Sequence, residues 1–295
     1  MQRRASPGMK GKEMSVRIIV DSAADMPEKE KSLVTVVPLS IFFGSREYTD
    51  GVDICHREFY EKLVESDTLP STSQPSPGAF EAVYGELCAA GDTAVVLTLS
   101  SKLSGTYQSA CIAAEDYKGR IFVVDTENVS ITEGILAKRA LQLRDEGLGA
   151  EEIFDILERE KKCACLIAML DTLEYLKKGG RISKTAAVAG GILNIKPVIT
   201  IKDGEIAVLG KARGSKQGNN MLVSELEKSG GIDFSMPILL GYTGLSDALL
   251  NKYVEDSSSL WREHRRELNS TLIGSVVGTH AGPGAVAVGF FKNKK

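Results

Sequence analysis

At 295 residues with 43% hydrophobic side chains, the chain can bury a large core and exceeds the usual size of one domain, so two domains are expected. Its 36 Lys and Arg are interspersed with 39 Asp and Glu for a net charge of −3, which leaves no broad basic surface and argues against nucleic-acid binding. No apolar run reaches bilayer length, since even residues 33–43 are broken by Pro38 and Ser40, so no transmembrane segment is expected.

Residues 1–14 are basic and polar without an apolar stretch, and are expected to form a disordered extension rather than a signal peptide. The five cysteines, Cys55, Cys88, Cys111, Cys163 and Cys165, are odd in number and irregularly spaced, which suits reduced thiols and a cytoplasmic protein. Three histidines without paired ligand spacing supply no metal site, so neither a metal nor a cofactor is expected.

A strand over residues 16–20 is followed by a helix-capable stretch after Asp25, a strand over 34–43, and helices near 56–65 and 78–90. Between the last two lies Ser71-Thr72-Ser73-Gln74-Pro75-Ser76-Pro77-Gly78. Ser76 reads as an N-cap with Pro77 at the first helical position, which leaves Thr72 and Ser73 as spare hydroxyls in a turn-rich loop. A strand over 94–99 then runs into Ser100-Ser101-Lys102-Leu103-Ser104-Gly105-Thr106 and a helix over about 102–116. Hydroxyls at the carboxyl end of a strand, opening a helix, suit a carboxylate or phosphate; equally, Ser101 or Ser104 is a plain helix cap. A strand at 121–124 and helices over 131–143 and 150–161 complete an alternating pattern. That pattern argues for a mostly parallel sheet covered on both faces, with the site at the strands' carboxyl ends, where Asp21-Ser22, Ser100-Ser101 and Asp125-Thr126 lie.

The texture changes near residue 164, so the first domain is taken as 15–164 and the second as 165–295. The second begins with a strand at 166–170, a short helix at 171–178 and a small-residue helix near 184–193. Strands at 196–201 and 205–209 flank Lys202-Asp203-Gly204, whose Asp-Gly marks a hairpin and hence antiparallel pairing. Helices over 213–228 and 245–267, with strands at 238–242, 271–277 and 285–290, complete an α+β unit with a mixed or antiparallel sheet. Gly179 reads as the left-handed cap of the short helix, which presents Arg181 on a Gly-Gly loop, where its guanidinium suits either a phosphate or a surface ion pair. His280 lies in Gly278-Thr279-His280-Ala281-Gly282-Pro283-Gly284, read as a tight loop between two strands. Nucleotide and hydrolase signatures are missing from the sequence: there is no G-x-S-x-G, no G-x-G-x-x-G after a strand and no Walker loop.

Asp21-Ser22-Ala23-Ala24-Asp25, Thr72 to Ser76, the SSKLSGTYQSA run from Ser100, LEYLKKGGRI from Leu173 and THAGPGA from Thr279 together resemble the DegV family of fatty-acid-binding proteins. The resemblance runs from about residue 16 to 290. It implies a two-domain α/β fold that encloses one long-chain fatty acid as ligand, and a non-enzymatic role as the binding subunit of a bacterial fatty acid kinase. It further implies that Thr72 and Ser101, with Ser73 beside them, contact the carboxyl group. Arg181 and His280 are expected near the head group, where a kinase partner would transfer phosphate. The competing reading is an enzyme acting on a small acid or phosphate ester, with Ser101 as nucleophile and His280 as base.

Overall fold

The computed structural model describes residues 15–66, 68–182, 194–264 and 268–293. The expected extension at 1–14 and the small-residue helix near 184–193 lie outside those residues.

The chain enters through β1 (Val16–Asp21), a short α1 (Glu28–Lys31) and β2 (Thr35–Val37), then β3 (Ser40–Phe43) and β4 (Arg46–Thr49). The single strand expected at 34–43 is thus two, because Pro38 cannot donate to a ladder and sits at the break. Next come α2 (His56–Glu65), β5 (Ser71–Ser73), α3 (Pro77–Ala89), β6 (Thr93–Thr98), α4 (Thr106–Ala114), β7 (Ile121–Asp125), α5 (Ile131–Asp145) and α6 (Ala150–Glu160). Ser76 caps α3 through its hydroxyl, 3.3 Å from the Ala79 N–H, with Pro77 opening the helix as expected. Thr72 and Ser73 lie in strand β5 rather than a loop, paired with β3.

After these follow β8 (Ala164–Met169), α7 (Glu174–Lys178), β9 (Ile195–Lys202), β10 (Glu205–Arg213), α8 (Gly214–Lys228), β11 (Leu239–Tyr242), α9 (Ala248–Asp256), α10 (Ser258–Trp261), β12 (Ser270–Leu272), α11 (Ser275–Ala281) and β13 (Val286–Phe291). Asp203 and Gly204 both take positive φ, 51° and 82°, so the β9–β10 hairpin turns as the Asp-Gly pair requires. The helix expected over 245–267 breaks at Ser257, whose hydroxyl bonds back to the Tyr253 carbonyl and accepts from the Trp261 indole. The strand expected at 271–277 stops at Leu272 and gives way to α11, so His280 sits at a helix end and not in a loop between strands.

Two main sheets result. The first is parallel, in the order β2-β1-β6-β7; the second is mixed, in the order β10-β9-β8-β13-β11-β12, with only β11 and β12 parallel. A small antiparallel sheet, β4-β3-β5, stands beside them. Helix α5 is buried at ten of its fifteen positions, since its residues pack in one core cluster with strands of both main sheets. An apolar surface that continues round the helix, from Ile131 and Ile135 to Ala140 and Leu141, is what such a position demands. Phe80 and Tyr84 of α3 cover the outer face of the parallel sheet, and Leu222, Tyr253 and Trp261 that of the mixed sheet. The hairpin tip of the second half docks on the first, with the Ser100 hydroxyl donating to the Gly204 carbonyl at 2.7 Å.

Candidate functional site: a capped apolar cavity

A cavity of about 350 Å³ lies between the inward face of the mixed sheet and the carboxyl ends of the first-half strands. Its floor follows from strand periodicity: Leu166 and Ala168 on β8, Ile199 and Ile201 on β9 and Ile206 on β10 project to one face. Leu39, Leu99 and Val129 wall the other side, with Val276 and Val277 of α11.

Polar side chains gather where β5, the 100–105 turn, α7 and α11 meet. Thr72 pairs with the fully buried Ile41, which fixes its side chain on the inner face, and its Oγ1 lies 2.9 Å from His280 Nε2. His280 Nδ1 is buried without a partner, so a proton there would be an orphaned donor; the tautomer with hydrogen on Nε2 fits, and His280 then donates to Thr72. Burial, and then the Arg181 charge, push the His280 pKa down to about 4, so the ring is neutral at neutral pH. Arg181 lines the same wall, its Nε donating to the Leu103 carbonyl at 3.2 Å and one terminal nitrogen to the Gly179 carbonyl at 2.5 Å.

The Gly179-Gly180 pair divides two tasks. Gly180, not Gly179, is the left-handed residue at φ 71°, and the Arg181 and Gly180 N–H groups donate back to the Leu176 and Lys177 carbonyls in the double closure of a helix end. Gly179 is needed for space: a Cβ there would stand 2.3 Å from His280 Nδ1.

Of the residues singled out from sequence, Thr72, Ser73, Arg181 and His280 line the cavity and Ser101 does not. Ser101 is exposed, and its N–H bonds Asp125 Oδ1 at 3.2 Å. α4 starts at Thr106, so residues 100–104 form a turn and Ser104 is the serine brought to the cavity. The Ser101–His280 pair of the enzymatic reading is not assembled, because His280 pairs with Thr72. Gln74, which also lines the cavity, was not legible: it reaches it by packing on Gly105, where a Cβ would lie 2.1 Å from Gln74 Oε1, and it donates to Ser109 at 3.0 Å. A glycine just before a helix was the one available signal. Among the described residues no group of three or more His, Cys, Asp or Glu could hold a metal, and no helix is long and apolar enough to cross a membrane.

Residues 15–293 match the family model described as "Uncharacterised protein, DegV family". A DegV domain-containing protein of Caldanaerobacter subterraneus subsp. tengcongensis is 38% identical over 283 residues, 95% of this chain and 99% of its own length. The fatty-acid-binding DegV family protein of Thermus thermophilus superposes with a TM-score of 0.83 at 31% identity, covering 95% of this chain and 100% of that one. A stearic-acid-binding protein of Eubacterium ventriosum gives 0.80 at 30% identity, over 94% and 98% of the two chains. With the family match running over nearly the whole chain, and the two-sheet fold shared with solved members, this protein belongs to the DegV family.

Proposed function

We propose that the protein binds one long-chain fatty acid, tail in the cavity and carboxyl group at the Thr72–His280–Arg181 end, and presents it to a partner kinase that forms the acyl phosphate. The observation that carries this reading is an apolar cavity with its polar groups, neutral hydroxyls above all, gathered where β5 and α11 meet. Burying a dozen methylenes at ~0.8 kcal/mol each supplies about 10 kcal/mol before ordering costs, so the tail provides affinity. A carboxylate in that setting needs donors. With His280 donating to Thr72, the Thr72 hydroxyl hydrogen is directed to the ligand, and Ser73 and Ser104 stand beside it. Neutral donors hold the carboxylate and leave an oxygen lone pair free to attack the γ-phosphorus of ATP on the partner. The new acyl–phosphate bond forms as the bond to ADP breaks, and Arg181 balances the charge on the phosphoryl group in flight. The likeness to solved DegV proteins that bind fatty acids supports the ligand class. The kinase partner rests on the family resemblance and on this chemistry, and the cytoplasmic setting on the five free cysteines.

Native mass spectrometry of the purified protein tests the ligand: a copurified long-chain acid is expected, and turnover of model esters by lipid-free protein would overturn the reading. Thr72→Ala and Ser104→Ala should each weaken binding of a fluorescent fatty acid by ~1.5–3 kcal/mol, the range for hydrogen bonds to a charged group. Ser101→Ala, outside the cavity, should leave the dissociation constant unchanged.

A further inference from the structure

Behind the cavity wall lies a second, polar cavity of about 370 Å³ lined by Ser22, Asp25, Glu28, Lys31, His56 and Thr271, among others. Asp25 stands between the two. Its carboxylate is buried, at 4% exposure, and each oxygen has one donor: the Gly274 N–H at 2.6 Å on Oδ1 and the Ser130 hydroxyl at 2.6 Å on Oδ2. Those donors lead to the fatty-acid cavity by separate routes. Ser130 lines it directly, held at φ 64° and ψ −136°, a backbone region that non-glycine residues occupy only under constraint. Gly274 is the N-cap of α11, the helix that ends in His280.

We infer that Asp25 is a positioning residue for the head-group end of the cavity: by tying the start of α11 and the Ser130 wall to the segment that follows β1, it sets where His280 meets Thr72. His280 lies six positions after Gly274, about 9 Å of helix, so a small tilt at the anchored end is carried to the imidazole. The surroundings are built for a fixed Asp25. Its carbonyl oxygen is wedged against Gly134 of α5, where a Cβ would stand 2.1 Å away, and its N–H donates to the Ser130 carbonyl at 3.3 Å. A Cβ on Gly274 would lie 2.9 Å from Asp25 Oδ1 and 3.1 Å from His56 Nε2, so the anchor has no slack. The role at the carboxyl site rests on the proposed fatty-acid function; the anchoring of His280 does not.

The test uses the full chain and two readouts. In ligand-free protein, NMR titration of the imidazoles is simple because the sequence holds three histidines. His280 should stay neutral down to about 4 in the parent. In Asp25→Ala it should titrate closer to a free histidine, near 6.5. Asp25→Asn, whose amide oxygen can still accept from Gly274, should restore the parent behaviour. Gly274→Ala, which displaces the anchor while keeping Asp25, should reproduce Asp25→Ala and serves if that variant does not fold. In the second readout, tetradecanoic acid and 1-tetradecanol compete with a fluorescent fatty acid analogue. Asp25→Ala should lose roughly tenfold or more for the acid and much less for the alcohol, since only the acid brings a charged group with two acceptor oxygens to the polar end. An unchanged His280 titration in both Asp25→Ala and Gly274→Ala, or equal loss of acid and alcohol, overturns the inference. A parent protein that binds neither ligand overturns the fatty-acid reading instead, and the titration still decides the anchor.

Discussion

Arg181 and His280 share a wall but differ in what they give. His280 is neutral and committed to Thr72, so it orients a hydroxyl; Arg181 is the permanent charge beside it, anchored by the Leu103 and Gly179 carbonyls. With two of its donors held by those carbonyls, Arg181 leaves the carboxylate to the hydroxyls and the tail to the apolar wall, whereas a transferring phosphoryl group brings further negative charge for it to balance. Arg181→Ala should therefore retain the fatty acid in native mass spectra and slow acyl phosphate formation by about 10² or more when a cognate kinase, ATP and Mg²⁺ are supplied. His280→Ala should act in the same direction less severely, as water replaces part of its hydrogen bond. Loss of lipid together with normal turnover at saturating fatty acid would refute this division. Thr72, Ser73, Arg181 and His280, which line the cavity, stood out in the sequence because cap and turn chemistry left their side chains unexplained, and the family resemblance then suggested their roles. Ser104 displaced Ser101 for a reason no local rule contains, since the start of α4 at Thr106 turns residues 100–104 and leaves Ser101 exposed.

Element by element, sequence patterns succeeded where one helix or strand buries one face and failed where tertiary contact sets the conformation. α11 shows the failure. Ser275-Val276-Val277 reads as strand, yet the segment is helical, and Gly278 lets α2 approach so closely that a Cβ there would lie 2.5 Å from the Tyr60 hydroxyl, which donates to the Ile273 carbonyl at 2.8 Å. β-Branched residues lose to packing here. Helical glycines offer a direct check, because Gly→Ala ordinarily stabilises a helix by about 1 kcal/mol. Gly85 on α3 has only the Tyr117 hydroxyl nearby, at 3.3 Å from an added Cβ, so Gly85→Ala should be neutral or stabilising. Gly134 on α5 meets the Asp25 backbone at 2.1 Å, which cannot yield without moving β1, so Gly134→Ala should destabilise by roughly 2 kcal/mol or more. Thermal melts of the two variants should move in opposite directions; equal shifts would show that the α5–Asp25 contact is looser than described.

Across the whole molecule, the carboxyl ends of the parallel sheet gather buried acids against α5. Burial pushes Asp21 and Asp25 up to about 7, and pushes Glu133, whose two oxygens lack partners, well above its ordinary value, with Asp21, Asp25 and Asp125 adding to the rise. The folded state therefore holds protons that the unfolded chain has released, so stability falls as pH rises through the interval between the unfolded and folded values. His56 and His280, both lowered chiefly by burial, act oppositely and only below their unfolded value near 6.5. As pH rises above the unfolded histidine value near 6.5 the histidine contribution fades, while Asp21, Asp25 and Glu133 go on losing the stability of protons held only in the fold, so Tm should decline as pH rises above neutrality and the decline should shrink in Glu133→Gln. A Tm that rises there would contradict the buried-acid account.

The sequence by itself determined the α/β alternation, the Asp-Gly hairpin, the cap of α3 and the family motifs, because each is written in contiguous residues whose periodicity or backbone preference suffices. Only the tertiary structure decided that Ser104 and not Ser101 reaches the cavity, that Gly179 leaves room for His280, and that Asp25, just past β1, meets the start of α11 across 249 residues of chain. These are contacts between segments remote in sequence, and their geometry is set by how closely two backbones approach, which no local pattern records.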